Sequence, residues 1–216
     1  MKEIEAEYRR RYETTLKSVA AALETQIRDY LTSSPRIDRV SVRAKDPSSF
    51  IRKSVKTDDG GKPRYEDPFS QIQDQIGARI ITLYLSDVVR LHPFIMRYYR
   101  PIEMKDHIPD SESEFGYFGK HYILFLPSDV IAAGVDKRSV PKFFELQIKT
   151  LFQHAWSEAE HDLAYKPGAK PLTADEKRRF AFTSAQSWGA DRIFEELFQE
   201  RGGNENQISK TPAPGS

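Results

Sequence analysis

Basic side chains gather in one short stretch of the chain, where they could hold phosphate groups. Arg43 and Lys45 lie at the end of a predicted strand, and Ser49 and Lys53 lie in the helix predicted to follow. Cationic side chains neutralise phosphate charge, and the free N–H groups at a helix N-terminus accept anions. Segment 43–53 is therefore a candidate polyphosphate site, although a solvated basic surface is the alternative interpretation.

Two carboxylates at predicted strands could bind a divalent cation. Asp74 comes just before the β-branched run 78–85, and Glu145 lies in a later strand. Alternate residues of a strand point the same way, so Glu145 shares a face with Gln147 and Lys149. Carboxylate oxygens are ligands that Mg²⁺ prefers, so the pair predicts a magnesium site if the fold brings the two together. Two ordinary surface carboxylates are the alternative.

The segment QHAWSEAEHDLAYK (153–166) concentrates polar side chains on one predicted helix. His154 and Glu158 lie one turn apart, and His161 and Asp162 follow in the next turn. Metal ligation is one interpretation, but the H-E-x-x-H order that sets two histidines at i and i+4 is absent. A role in packing or in orienting a substrate is the other interpretation.

The glycine-containing segment GYFGKH (116–121) offers an aromatic ring next to basic groups. It lacks the G-x-x-x-x-G-K-[ST] spacing of a P-loop, so that mode of phosphate binding is not predicted. Tyr117 could stack on a nucleobase, and a buried core tyrosine is the equal alternative.

The composition excludes several kinds of protein. Lysine and arginine number 33 and aspartate and glutamate 32, so the net charge is +1 and no global positive field favours coating of nucleic acid. With no cysteine, the chain has no disulfides, thiolate-bound zinc, iron–sulfur clusters or thiol nucleophiles. No apolar run suits a signal peptide or a membrane span, so we expect a cytoplasmic protein with no membrane partner.

Hydrophobic periodicity predicts an α+β fold with one mixed sheet and helices packed on it. The predicted strands cover 38–43, 78–85, 117–126 and 142–148. The predicted helices cover 2–32, 47–56, 69–75, 87–100, 150–165 and 173–200, which puts long helices at both ends. Residues 1–201 are predicted to form a single domain, and the polar tail 202–216 is predicted to be disordered.

Four segments together resemble the synthetase domain of the RelA/SpoT family of alarmone synthetases. In chain order they are RAKDPSSFIRK (43–53), DQIGARI (74–80), FGYFGKH (115–121) and ELQIKTLFQHAWSEAEHDLAYK (145–166). The last segment is the most specific, because its long run of matching residues is hard to reach by chance. The resemblance implies a nucleotidyltransferase-like mixed sheet. It also implies Mg²⁺-dependent transfer of pyrophosphate from ATP to the ribose 3′-hydroxyl of GDP or GTP, giving AMP and (p)ppGpp.

The resemblance also implies roles for individual residues. The residues implied to bind ATP are Arg43, Lys45, Ser49, Lys53 and Arg79, with the two arginines on either side of the adenine. The residues implied to bind the acceptor are Tyr117, His121, Gln147, Lys149 and His154, with the tyrosine on the acceptor base. The catalytic and metal-binding residues are implied to be Asp74 and Glu145, with Glu145 near the attacking hydroxyl as a metal-linked carboxylate or as the general base.

The identity of the acceptor is left open by an acidic segment. Asp110, Glu112 and Glu114 precede GYFGKH, where many family members carry a basic residue that meets the acceptor's phosphates. Three carboxylates would repel a polyphosphate. A toxin-like pyrophosphokinase that uses adenine nucleotides or the 3′ end of a tRNA is therefore the alternative.

Two further alternatives concern the molecule as a whole. A tRNA acceptor would need basic surface, which the charged residues of the first and last helices could provide, unless they are merely solvated. A non-catalytic nucleotide-binding module is the alternative from another class, but it predicts loss of Asp74 and Glu145, which are both present. Small members of the family are often homo-oligomers, although some are monomers.

Overall fold

Five strands form one mixed sheet at the centre of the molecule. This computed structural model describes residues 2–34, 36–106, 119–165 and 170–202. The strands are β1 (Ile37–Ala44), β2 (Ile76–Thr82), β3 (Pro101–Asp106), β4 (Lys120–Phe125) and β5 (Phe143–Thr150). Their order is β1-β2-β5-β4-β3, with β2 and β5 parallel and the other neighbouring pairs antiparallel. The predicted α+β fold with a mixed sheet is confirmed.

Helices flank this sheet and lie at both ends of the described chain. They are α1 (Lys2–Arg11), α2 (Lys17–Tyr30), α3 (Pro47–Ser54), α4 (Pro68–Gln71), α5 (Leu85–Tyr98), α6 (Leu151–Glu160) and α7 (Ala174–Glu200). A π-helical turn over Tyr12–Leu16 joins α1 to α2, and another over His161–Tyr165 follows α6. The predicted long first helix is therefore one helical path with a wider turn in its middle.

Side-chain caps fix where α3, α6 and α7 begin. Asp46 caps α3, and its carboxylate accepts a hydrogen bond from the first turn. Thr150 and Gln153 form a capping box at the start of α6. The capping box expected of Thr173 and Glu176 begins α7. Each cap satisfies N–H groups that the helix itself leaves free, so it sets the residue at which the strand or loop turns into helix.

One face of the sheet is sealed by helices. Phe144, Leu146 and Ile148 of β5 are fully buried, as their alternation with polar residues predicts. They join a core cluster with apolar side chains of α2 and α5, including Leu23 and Ile95. The polar residues that alternate with them must therefore lie on the opposite face.

A second, smaller cluster anchors the first helix to the basic segment. Tyr8 of α1 stacks on Phe50 of α3, with ring centroids 3.7 Å apart and planes within 6°. Leu16 and Ile72 complete the buried part of this cluster. The Tyr8 hydroxyl also donates to the Lys45 carbonyl at 3.0 Å, so α1 holds in place the chain that carries Lys45.

Several predicted elements differ from the observed ones. The predicted helix 69–75 is interrupted, because Ile72 is extended between α4 and a 3₁₀ turn at Gln73–Gln75. Strand β3 was not predicted, and it adds an edge to the sheet. The predicted acidic loop, the start of the strand predicted at 117 and the tail from 203 onward lie outside the described residues.

Candidate active site

Neighbouring strands align residues, most of them polar, in two rows across the open face of the sheet. The first row, in order across β1, β2, β5 and β4, is Ser41, Arg79, Gln147 and His121. The second row, in the same order, is Arg43, Gly77, Glu145 and Ile123. Within each strand the two rows are two residues apart, so both lie on the same face, opposite the sealed core.

A cavity of about 190 Å³ opens over these rows. The cations Arg43, Lys45 and Arg79 line it together with the carboxylates Asp74 and Glu145. Cations of this kind suit phosphate groups, and carboxylates suit a divalent cation. We call this space the first cavity.

A second cavity of about 390 Å³ lies beside the first. Its basic lining residues are Lys53, Arg64 and His121. Asp74 and Glu145 line this cavity as well as the first, so the two carboxylates stand at the boundary between them.

Asp74 is held by two ammonium groups. Lys45 Nζ donates to Asp74 Oδ2 at 2.7 Å, and Lys53 Nζ lies 3.0 Å from Oδ1. Burial raises the pKa of Asp74, but the charges and hydrogen bonds of the two lysines outweigh burial and hold that pKa below its usual value. Asp74 is therefore ionised at neutral pH.

Glu145 is paired with a histidine from the next strand. His121 Nδ1 lies 3.2 Å from Glu145 Oε1. Burial raises the pKa of Glu145, and the negative charge of Asp74 acts in the same direction. The hydrogen bonds of His121 and Gln147 and the charge of His121 outweigh both effects, so the pKa lies below its usual value. Glu145 is thus a charged carboxylate that can accept a proton or bind a cation.

Arg79 is fixed by helix α6. Its Nη1 donates to Glu158 Oε1 at 2.7 Å and lies 3.2 Å from His154 Nδ1. The one-turn spacing of His154 and Glu158 thus brings both to the same guanidinium group. Burial lowers the pKa of His154, and the positive charge of Arg79 adds to that effect.

A metal site on this helix gains no support from the geometry. His154 Nδ1 faces a cation, and His161 and Asp162 are exposed. Within the described ranges, no group of three or more histidine, cysteine, aspartate or glutamate residues is placed to hold a metal ion.

Three of the predicted site residues in the described part of the chain, Ser49, Lys149 and His154, line neither cavity. The Ser49 hydroxyl on α3 accepts a hydrogen bond from Arg52 at 2.9 Å. Lys149 is only 8% exposed, and its Nζ donates to Ser157 Oγ of α6 at 3.0 Å. Burial, with the positive charge of Arg79, lowers the pKa of Lys149 to about 8. Tyr117 and the acidic segment 110–114 lie outside the described residues.

A tight turn adds residues that the sequence pattern did not single out. Asp58 accepts hydrogen bonds from the backbone of Gly60 and Lys62, each at 2.9 Å, and the Arg64 N–H donates to the Lys56 carbonyl at 2.8 Å. Gly61 has φ +76°, a conformation that favours glycine. The turn sets Arg64 at the wall of the second cavity. The Asp-Asp-Gly-Gly sequence signals a turn, but not which wall it would reach.

The donor set at the boundary suits one particular kind of metal binding. Two ionised carboxylates, Asp74 and Glu145, face a shared space that is also lined by cationic side chains. Mg²⁺ commonly binds through one or two carboxylates, several waters and substrate phosphates, rather than through an all-protein cage. The residues present therefore fit Mg²⁺ bound together with a phosphate substrate.

Comparison with known proteins identifies the family. The family described as "Region found in RelA / SpoT proteins" matches residues 42–170, which is more than half of the chain. The chain belongs to the RelA/SpoT family. The resemblance seen in the sequence motifs is thereby confirmed.

Individual relatives agree with this assignment. GTP pyrophosphokinase YjbM of Bacillus subtilis (strain 168) is 27% identical over 168 residues, which are 77% of this chain and 72% of that protein. The crystal structure of the small alarmone synthetase 1 from Bacillus subtilis superposes with a TM-score of 0.68 at 22% identity, covering 92% of this chain and 95% of that one. The structure of the same synthetase bound to its product pppGpp gives 0.66 at 22% identity, covering 89% and 95%. At these identities the structures show that the fold is shared.

The described helices carry no membrane signal. None of them combines the length and the apolar character that crossing a bilayer requires.

Proposed function

We propose that the protein transfers the β,γ-pyrophosphoryl group of ATP to the ribose 3′-hydroxyl of a nucleotide and releases AMP. With GDP or GTP as acceptor the product is (p)ppGpp, an alarmone of the stringent response. One observation carries the proposal: Asp74 and Glu145 stand between two cavities. A donor in one cavity and an acceptor in the other would therefore meet at the same pair of carboxylates.

Family membership supports this class of enzyme. One relative of the chain is a GTP pyrophosphokinase, and one structure of the same fold holds the product pppGpp. The carboxylates that a non-catalytic binding module could lose are both present, partly buried and ionised.

ATP would occupy the first cavity. The planar guanidinium groups of Arg43 and Arg79 suit stacking on adenine, because they stay charged and flat. Lys45 would then meet the phosphates. Its Nζ already bonds Asp74, so it would be shared between the carboxylate and the substrate.

The reaction exchanges one phosphorus–oxygen bond for another. The acceptor's 3′ oxygen attacks the β-phosphorus, and the bond from that phosphorus to the oxygen bridging to the α-phosphorus breaks. AMP leaves with the electron pair of that bond. Glu145 accepts the hydroxyl proton as the new bond forms. The positive charges of Lys45 and Arg43 stabilise the charge that develops on the phosphate oxygens.

Asp74 and Glu145 would also hold Mg²⁺ against the ATP phosphates. A bound Mg²⁺ would supply charge neutralisation at the phosphate oxygens. Lys53 lies 3.0 Å from Asp74, and its positive charge would help to neutralise the negative charge of the substrate phosphates.

The acceptor would occupy the second cavity. His121 lines its wall, and Gln147 lies next to His121 in the first row. Lys53 and Arg64 give this cavity positive charge from the side of α3 and the turn. Such charge would favour an acceptor with 5′-phosphates and would offset carboxylates nearby. Tyr117 remains the proposed partner of the acceptor base.

The surface favours a mononucleotide acceptor over tRNA. Among the candidate RNA-binding cations of the first and last helices, Arg9, Arg10 and Lys17 each pair with a glutamate three or four residues earlier. Arg179 pairs with Asp175 in the same way. Such pairing reduces the positive potential that phosphate backbones require.

A panel of acceptors tests the proposal. The protein is incubated with Mg²⁺ and ATP labelled in its β-phosphate, together with GDP, GTP, ADP, ATP or tRNA in separate reactions. We expect label on GDP or GTP and release of AMP. Label on tRNA or on adenine nucleotides alone would overturn the acceptor assignment, and no transfer to any acceptor would overturn the enzyme assignment.

A further inference from the structure

Another carboxylate lines the second cavity, on the edge strand of the sheet. Glu103 of β3 lies opposite Ile123 of β4, which in turn lies opposite Glu145 of β5. Glu103 therefore extends the second row by one strand beyond Ile123. It also lines the second cavity together with Glu145. The proposed transfer employs Glu145 and gives Glu103 no role.

Strand alternation points Glu103 into the cavity. Its neighbours Ile102 and Met104 are 44% and 53% exposed, whereas Glu103 is partly buried and lines the cavity wall. Successive residues of a strand point to opposite faces, so the two apolar neighbours lie on the other face of the sheet. The alternation that places Glu145 on the open face thus places Glu103 there as well.

The spacing of the strands sets the distance between these two glutamates. Neighbouring strands lie about 4.8 Å apart, so the backbones of Glu103 and Glu145, two strands apart, are separated by about 10 Å. In the proposed reaction the acceptor's 3′-hydroxyl lies at Glu145. The sugar and base of one nucleotide can span the distance from there to Glu103.

The charges of the second cavity orient the acceptor. Lys53 and Arg64 come from α3 and from the turn after it, which follow β1 at one edge of the sheet, whereas β3 forms the opposite edge. The 5′-phosphates of an acceptor are attracted by these two cations and repelled by the Glu103 carboxylate. Glu103 is therefore placed to meet the base rather than the phosphates.

A carboxylate at the edge of a base distinguishes guanine from adenine. The Watson–Crick edge of guanine carries two adjacent donors, the N1–H and the 2-amino group. A carboxylate only accepts hydrogen bonds, and its two oxygens can accept both of these in parallel. Adenine has an acceptor at N1 and no donor at C2, so the same carboxylate repels it. Recognition of this kind both favours one base and excludes the other.

From this placement we infer that Glu103 binds the Watson–Crick edge of an acceptor guanine and makes the protein prefer GDP or GTP to adenine nucleotides. The inference rests on the proposed function, because that function puts the acceptor in the second cavity with its 3′-hydroxyl at Glu145. Glu103 contacts the edge of the base, and the face of the base is left to Tyr117.

Removal of single donors from the base tests the inference. Inosine diphosphate (IDP) keeps the N1–H of guanine but lacks the 2-amino group, and ADP has neither donor. Isothermal titration calorimetry measures the Kd of GDP, IDP and ADP for the wild type and for Glu103→Gln. For the wild type we expect GDP to bind about tenfold more tightly than IDP, because one hydrogen bond to a charged group is lost, and ADP to bind most weakly.

The variant should lose this discrimination. A glutamine amide can accept one of the two hydrogen bonds but turns a donor towards the other. In Glu103→Gln we therefore expect the Kd of GDP to rise about tenfold and the difference between GDP and IDP nearly to disappear. Glu66→Gln, an identical change at an exposed position that does not line the cavity, should keep the wild-type order.

Two outcomes would overturn the inference: equal affinity of the wild type for GDP and IDP, or a GDP preference that persists in Glu103→Gln. The second would mean that Glu103 only balances charge on the cavity wall. AMP release from ATP, followed in parallel, tests the proposed function separately. Preference for GDP without AMP release would overturn the transfer and support the recognition of guanine. AMP release with equal use of GDP and IDP would do the reverse.

Discussion

Single side chains set the chemistry of the cleft through their neighbours. Glu145 is partly buried and lies near a second carboxylate, and both effects raise a carboxyl pKa. His121 and Gln147 reverse that outcome, so the proposed base is charged before substrate arrives. Asp74 shows the same balance with two lysines in place of a histidine. The site therefore relies on paired groups rather than on isolated reactive residues.

Glu158 is a positioning residue for Arg79. Replacing Glu158 by glutamine removes the charge that holds the guanidinium group at 2.7 Å. Because Glu158 is half exposed, the contact is modest, and we expect the KM for ATP to rise about two- to fivefold with kcat nearly unchanged. Steady-state kinetics measure KM and kcat separately. Glu3→Gln, at an exposed position on α1, serves as the control, and an equal loss of kcat in Glu158→Gln would contradict the positioning role.

Lys149 makes stability depend on pH. Burial lowers its pKa from 10.5 in the unfolded chain to about 8 in the folded protein. Between these values the unfolded state holds a proton that the folded state has released, so stability contributed by this group rises with pH across that window. Below pH 8 Lys149 is protonated in the folded protein, and its buried charge lowers the free energy of unfolding.

Lys149→Met tests this cost. We expect the variant to be more stable than the wild type at pH 7, on the order of 2 kcal/mol, because methionine fills the site without a charge. The advantage should shrink as pH rises from 8 towards 10. Urea unfolding at pH 7 and pH 9 measures the change, with the exposed Lys142→Met as control. A pH-independent difference would show that Lys149 does not titrate in this window.

At the scale of elements, strand alternation accounts for most of what the sequence predicts correctly. The alternation in β5 separates Glu145 and Gln147 from the buried Phe144 and Leu146, and the structure confirms both faces. Lys149 follows the same alternation but does not line the cleft. The reason is that α6 begins two residues later and covers it, with Ser157 as its partner.

Other elements could not be predicted from the hydrophobic pattern of a single segment. Strand β3 begins with Pro101 and has exposed apolar residues at Ile102 and Met104, as an edge strand can. The sequence of β3 is too short and too polar for its hydrophobic pattern to predict a strand. The strand order that aligns Arg79 with Gln147 and His121 depends on contacts between distant segments, so no single segment predicts it.

Helix α7 is tied to the β5–α6 junction by one buried hydrogen bond. The Thr150 hydroxyl donates to Asp191 Oδ2 at 2.6 Å, and Thr150 also caps α6. Asp191→Ala would leave this hydroxyl without that acceptor, and we expect a loss of about 2 kcal/mol in the free energy of unfolding. Thermal or urea unfolding measures it, with the exposed Lys177→Ala of α7 as control. A loss no larger than that of the control would mean that the bond does not hold α7.

For the whole molecule, the net charge of +1 conceals a local arrangement. On the outer helices, several arginines and Lys17 pair with glutamates one turn earlier. In the cleft, the cations are grouped on the cavity walls around Asp74 and Glu145. Composition alone excludes a coating nucleic-acid binder, and the fold shows where positive charge is concentrated. That concentration at two adjoining cavities is the basis for assigning a donor and an acceptor site.

The central claim is that a pyrophosphoryl group, not a single phosphate, moves between two nucleotides at Glu145. Its most direct test follows ATP labelled in the β-phosphate with GDP and Mg²⁺, for the wild type and for Glu145→Gln. We predict AMP and a labelled guanosine product in equal amounts. In the folded variant, the rate should fall about a hundredfold or more. Release of ADP with a singly phosphorylated acceptor, or a wild-type rate in Glu145→Gln, would contradict the account.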